Sequence, residues 1–161
     1  MILESIAKNT PASRGDALLP TVQRSARVPY TAPQMFDLVN DVVSYPQFLH
    51  WCTGARIESR HGNVVEATLD IGVLGFHREF RTRNTLTRPE RIQIELVSGP
   101  FRRLKGEWRF KQLVQAGTEV DLVLSFEVTV TPFGVLFSKV FEELAAAQMT
   151  AFVERARNVY G

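Results

Sequence analysis

The 161 residues contain one cysteine, Cys52. A single thiol excludes an intrachain disulfide and a thiolate metal cage, and it fits a reducing compartment. Beside Trp51 it reads as a small buried hydrophobe. No apolar run approaches the length of a membrane span. The opening Met1-Ile-Leu-Glu4 is too short for a signal peptide and has no basic flank. The chain lacks HExxH, CxxC, GxSxG and any phosphate-cradling glycine loop. Its three histidines, His50, His61 and His77, stand in three different local contexts and do not form a ligand set. Asp70 and Glu79 could offer acid/base chemistry, but each alternates along a strand beside other charges, as on a solvated face. These absences leave binding as the better-supported kind of activity.

What is present is ordinary in bulk: 45% hydrophobic and 22% charged residues, with a formal net charge of +2. The charge is uneven. Between Arg78 and Lys111 ten Lys/Arg face four Glu, so this segment is +6 and the remainder is −4. Such a segment is either the solvated face of a sheet or a surface for phosphates of RNA or lipid head groups.

Residues 1–20, with Asn9-Thr-Pro-Ala-Ser-Arg-Gly-Asp16, carry no sustained period and read as a flexible extension. One domain is expected over 21–161. Val22–Val28 reads as a strand ended by Pro29. Thr31 caps a helix with Pro33 in its first turn. Asp41 then caps a second short helix that Pro46 ends. An aromatic cluster, Tyr45, Phe48 and Trp51, follows.

Alternation dominates from Ile57 onward. His61-Gly62-Asn63 is a turn, and Gly72 and Gly75 bracket a bend. Val65, Ala67, Leu69, Ile71 and Val73 share a face. So do Phe76, Arg78, Phe80 and Thr82, then Ile92, Ile94 and Leu96, then Trp108 and Phe110. Leu122, Leu124, Phe126, Val128 and Val130 alternate most regularly. About seven strands joined by short turns predict an antiparallel sheet. From Phe133 to about Val159 the period becomes helical, with Phe133, Phe137, Val140, Phe141, Leu144, Gln148, Ala151, Phe152, Arg155 and Val159 tracing one face. The fold class is therefore α+β: a curved antiparallel sheet wrapped around a long C-terminal helix, with two short helices after the first strand.

A curved sheet under one long helix leaves room for a cavity. Its expected lining is Trp51, Phe76, Phe80, Trp108, Phe110, Leu124, Phe126, Phe137, Val140, Phe141 and Leu144. Arg78 and Gln148 are its candidate polar anchors. A packed core without ligand is the competing reading. Burying roughly 300 Å² of apolar ligand surface yields about 7 kcal/mol, against an association cost on the order of 4–15 kcal/mol. A ligand that binds well must therefore be long and apolar.

Several stretches together carry a family likeness. They are Val28-Pro-Tyr30, Phe36-Asp-Leu-Val-Asn-Asp-Val-Val-Ser-Tyr-Pro-Gln-Phe-Leu49 and Phe80-Arg-Thr-Arg-Asn84. Further on come Leu96-Val-Ser-Gly-Pro-Phe-Arg-Arg-Leu-Lys-Gly106, Trp108-Arg-Phe110 and Ala151-Phe-Val-Glu-Arg-Ala-Arg-Asn-Val-Tyr-Gly161. From about Pro20 to Gly161 the chain resembles the Coq10/ribosome-association-toxin branch of the START-like (polyketide cyclase/dehydrase and lipid transport) superfamily. His50 departs from the residues common in the family before the Trp-Cys step.

The resemblance implies a helix-grip fold and two activities. Coq10-like members bind ubiquinone in the cavity and support respiration without catalysis. Toxin-like members bind the large ribosomal subunit and block subunit joining. The expectations are thus a non-enzymatic binder of ubiquinone or a similar isoprenoid lipid, with no required cofactor and no metal. The alternative is a ribosome-association toxin, for which Arg102, Arg103 and Lys105 on an exposed basic loop are the phosphate-binding candidates. Cyclase activity has no acid/base constellation to support it. The expected location is the bacterial cytoplasm, with a transient contact at the inner membrane surface left open and no DNA partner.

Overall fold

A computed structural model describes residues 20–129 and 131–161 in full, together with the backbone of residues 3–8. Val130 and the stretch 9–19 lie outside the described residues.

Eight antiparallel strands form one open sheet: β1 (Leu3–Lys8), β2 (Thr21–Val28), β3 (Cys52–His61), β4 (Val64–Val73), β5 (Phe76–Thr87), β6 (Arg91–Ser98), β7 (Phe101–Gln112) and β8 (Thr118–Val128). Their order is β1-β2-β8-β7-β6-β5-β4-β3. Strands β3 to β8 form a meander, because short turns can join antiparallel neighbours. The expected strands are β2 to β8. Strand β1 lies within the segment read as an extension, and its backbone pairs with β2, Leu3 opposite Arg27 and Ser5 opposite Ser25. An edge strand needs only main-chain pairing on one side, so it need not show a hydrophobic period.

The β3–β4 and β4–β5 connections are two-residue turns. Gly62 has φ +59°, and Leu74 and Gly75 have φ +50° and +83°. Left-handed backbone at these positions matches the twist of the flanking strands. The second bend thus turns on Leu74-Gly75, while Gly72 stays within β4.

Helix α1 (Ala32–Asn40) starts at a capping box. The Gln34 N–H donates to Thr31 Oγ1 at 3.2 Å, and the Thr31 N–H donates to Gln34 Oε1 at 2.9 Å. The next segment, Val42–Gln47, is a 3₁₀ helix containing Pro46 rather than ending before it. Proline has no N–H to lose in so short an element. Helix α2 (Pro132–Tyr160) has 29 residues and Thr131 as its cap, about 43 Å of rod at 1.5 Å per residue.

The core face of α2 is rotated from the expected one. Phe137, Phe141, Ala145, Met149, Phe152, Val153 and Ala156 are buried, whereas Val159 is 48% exposed and Val140 half-buried. Alanine and glycine leave little periodic signal, yet they let the rod approach the sheet closely. The helix end is tied back to α1 by the Tyr160 hydroxyl, which donates to the Gln34 carbonyl at 2.8 Å.

Candidate functional site

The concave face of the sheet and α2 enclose two apolar clusters. Under α1, Phe36, Trp108, Phe110 and Phe152 interlock, with Trp108–Phe152 centroids 5.1 Å apart and Phe36–Phe110 5.7 Å apart. Near the start of α2, Phe80, Phe101, Phe126, Phe137 and Phe141 do the same, with Phe101–Phe141 at 4.7 Å and Phe126–Phe141 at 4.8 Å. The aromatic edges meet faces as ring quadrupoles prefer.

Between the clusters the side chains shrink. Ala67 on β4 and Ala145 on α2 stand where an aromatic group would close the space. Gly106 lies opposite both Ile94 and Leu124, and a Cβ added there would meet Leu124 Cδ1 at 2.7 Å. The resulting cavity measures about 720 Å³ counting its mouth, and the centre of a water molecule could move through about 90 Å³ of it. One water needs roughly 10–15 Å³ by the second measure, so the space is real but slender.

Seven residues named from the sequence line this cavity: Trp51, Phe80, Trp108, Leu124, Phe141, Leu144 and Gln148. The others do not. Phe110, Phe126 and Phe137 are buried within the packed clusters. Phe76 and Arg78 form a separate rim group with Phe133: the Phe76–Phe133 centroids are 5.3 Å apart, and the Arg78 guanidinium lies 4.4 Å over the Phe133 ring. Arg78 is exposed, and its Nη1 donates to the His77 carbonyl at 2.9 Å, so it is not a cavity anchor. Alternation placed it on the correct strand face, but β5 runs past the cavity at that point.

Sequence reading missed Thr82 and Asn84 as polar lining. Both are buried, and Thr82 Oγ1 donates to Asn84 Oδ1 at 3.1 Å. Their signal was the inward parity of Phe80, Thr82 and Asn84 along one strand. Gln148 Oε1 is buried and has no hydrogen-bond partner. Val42 and Tyr45 border the cavity from the 3₁₀ helix. The Tyr45 hydroxyl donates to the Val39 carbonyl, and burial pushes this phenol far above its ordinary range.

Acid/base chemistry finds little footing here. Burial pushes the Cys52 thiol up to about 11, and its Sγ donates to the Gly54 carbonyl at 3.2 Å. Such a thiol is protonated at neutral pH and inert as a nucleophile. Asp70 and Glu79 sit on the outer face, paired with Arg56 at 3.7 and 2.9 Å. No group of three His, Cys, Asp or Glu among the described residues could hold a metal ion.

The basic candidates lie on a strand, not a loop. Phe101 and Leu104 are buried while Arg102, Arg103 and Lys105 are exposed. The β7–β8 register shifts between Phe101 and Arg103. The irregularity places two consecutive arginines outward, as an extra residue in a bulged strand does. Arg102 and Arg103 approach Glu127 at 3.7 and 3.9 Å. Lys105 enters no ion pair among the described residues. Elsewhere on this convex face Glu66 joins Arg81 and Arg83, whose hydrogen bonds hold its carboxyl below the usual range. Much of the +6 segment is thus neutralised locally.

An open antiparallel sheet gripping one long helix around an apolar cavity defines the START-like class of binding folds. The profile of polyketide cyclase / dehydrase and lipid transport proteins matches residues 28–153, and the chain belongs to this family. It is 43% identical over 145 residues to the ribosome association toxin RatA of Escherichia coli (strain K12), covering 90% of this chain and 92% of that protein. It is 25% identical over 136 residues to the coenzyme Q-binding protein COQ10 homolog B, mitochondrial, of Xenopus laevis, covering 82% of this chain and 56% of that one. A START superfamily protein from Mycobacterium smegmatis superposes with a TM-score of 0.73 at 21% identity, over 86% of this chain and 98% of that one. The two curated relatives are named for association or binding rather than for a reaction, while the family description includes cyclases. No helix of the described residues is long and apolar enough to cross a membrane.

Proposed function

We propose that this protein binds a long hydrophobic molecule, ubiquinone or a related isoprenoid lipid, in the sheet–helix cavity, supports respiration in that way, and performs no chemistry on its ligand. The observation that carries this reading is the slender apolar space between two packed aromatic clusters, left by Ala67 and Ala145. A narrow space suits a flexible chain, whose large apolar area offsets the cost of association. The name of the COQ10 relative agrees with it. Organic-solvent extraction of the purified protein followed by mass spectrometry, and a titration with a short-tailed ubiquinone, test it. Co-purified lipid and saturable binding are expected; neither appearing sinks the reading.

A second reading has its own support. The RatA relative is 43% identical over nearly the whole chain. On this reading the protein associates with the large ribosomal subunit and inhibits translation initiation, using Arg102, Arg103 and Lys105 on the convex face. Contacts to phosphate release counterions, so binding must weaken steeply with salt. Sucrose-gradient sedimentation with ribosomal subunits at two salt concentrations decides it. Co-sedimentation that falls with salt, and falls further when all three residues are changed to Ala, supports the basic contact. Co-sedimentation indifferent to salt removes those residues as the contact. The two readings use opposite faces of the sheet and are compatible in one molecule.

A further inference from the structure

The cavity is apolar except at two places on its wall, one on the sheet and one on the helix, and these have hydrogen-bonding capacity the protein does not fill. Thr82 and Asn84 face it from β5 at 6% and 9% exposure. Because the Thr82 hydroxyl donates to Asn84 Oδ1, the Asn84 carbonyl is engaged and its NH2 is left over. Among the described residues no group accepts from that NH2. From α2, Gln148 borders the same space with a buried, unpartnered Oε1. Unpaired buried polar atoms are costly, and a cavity built only to be greasy would carry valine or leucine at these positions. The sheet side therefore offers a spare donor and the helix side a spare acceptor on the wall of one slender space.

The geometry points to a head-group site: the ligand enters polar end first and seats a hydroxyl among Thr82, Asn84 and Gln148. A hydroxyl accepts from the Asn84 NH2 and donates to Gln148 Oε1, satisfying both at once. A carbonyl can only accept, so it matches Asn84 and leaves Gln148 Oε1 unpaired. The preferred ligand is a long-tailed phenol, hydroquinone or alcohol, bound more tightly than the quinone of the same tail. This inference rests on the cavity reading above and adds to it an orientation and a chemical class.

The test uses the full chain under anaerobic conditions, with Trp51 and Trp108 of the cavity wall as fluorescent reporters. Three probes with matched tails are titrated: decyl-ubiquinol, decyl-ubiquinone and decylbenzene. The quinol is expected to bind roughly tenfold more tightly than the quinone, the worth of about one buried hydrogen bond, and decylbenzene most weakly. Gln148→Met should erase the quinol preference and leave decylbenzene within about twofold. If thermal melts show that variant unfolded, Asn84→Ala carries the test, weakening both oxygenated probes and sparing decylbenzene. Equal affinity for quinol and quinone, or a preference that survives Gln148→Met, overturns the head-group site and leaves the cavity reading standing. Failure of all three probes to bind overturns the cavity reading and the head-group site with it.

Discussion

The interior under α1 and the interior beneath the middle of α2 are built from the same sheet and the same rod, yet one is solid and the other hollow. Under α1, Trp108 and Phe152 lie 5.1 Å apart and Phe36 reaches Phe110. Two turns earlier on the rod, Ala145 faces a stretch of sheet that holds Ala67, and the space stays open. Backbone layout is common to both regions, so side-chain volume alone makes the difference. Protein interiors pack like organic crystals, and a cavity in such a medium persists only where the walls on both sides are held apart. Here the two aromatic clusters act as spacers at either end.

The largest expected effect lies in the solid region. Phe152→Ala removes a ring with 0% exposure that touches Tyr45, Phe48 and Trp108. A loss of about 3–5 kcal/mol is expected, read by urea denaturation. Leu144→Ala, at the half-buried cavity wall, should cost less than half as much, because its neighbours already lack contacts on one side. If the two costs are equal, the hollow region is not hollow in solution.

Filling comes next. Ala145→Leu should change stability by no more than about 2 kcal/mol and reduce ligand affinity at least tenfold, measured by the quinone titration. Undiminished affinity would place the ligand elsewhere.

An acid titration separates the outside from the inside. Arg88 donates to both carboxylate oxygens of Asp37 at 2.9 and 2.8 Å, and this hydrogen bonding holds the Asp37 carboxyl below its ordinary value. A lowered carboxylate pKa stabilises the fold above about pH 4 and ceases to do so as pH falls through the folded value. Both side chains are more than half exposed, 55% and 53%. Solvent screening therefore limits the contribution to at most about 1 kcal/mol. Asp37→Asn should show that deficit at pH 7 and none at pH 2 in parallel melts.

The smallest stability effect is expected on the convex face. Changing Arg102, Arg103 and Lys105 together to Ala should move stability by about 0.5 kcal/mol or less, since exposed pairs contribute little. A large loss would mean that the Glu127 contacts matter more to the fold than their lengths of 3.7 and 3.9 Å suggest.

These contrasts track what could be read from the sequence. Strands β4, β6 and β8 were legible because Val65-x-Ala67-x-Leu69-x-Ile71 and its counterparts alternate without interruption. The start of α1 was legible because Thr31 and Pro33 each have a local chemical role, while the reciprocal bond from the Thr31 N–H to Gln34 emerged only in the structure. The bulge at Arg102-Arg103 was not, since the run of polar residues looks the same in a loop. The cavity centre was hardest to see. It is defined by missing atoms, at Ala67 and Ala145, and an absent side chain has no periodicity. Arg78 misled for a related reason: parity tells which way a side chain points, but not whether the partner layer extends that far.

Helix α2 follows in the chain every strand it covers. During synthesis the greasy hollow of the sheet therefore exists before its roof, and the compartment closes only when this final rod docks. The same wall is an open trough first and a chamber with a mouth later. Until that last element arrives the trough exposes apolar surface, as partly folded chains do, so the final docking step is also the one that hides the molecule's greasiest face from other chains.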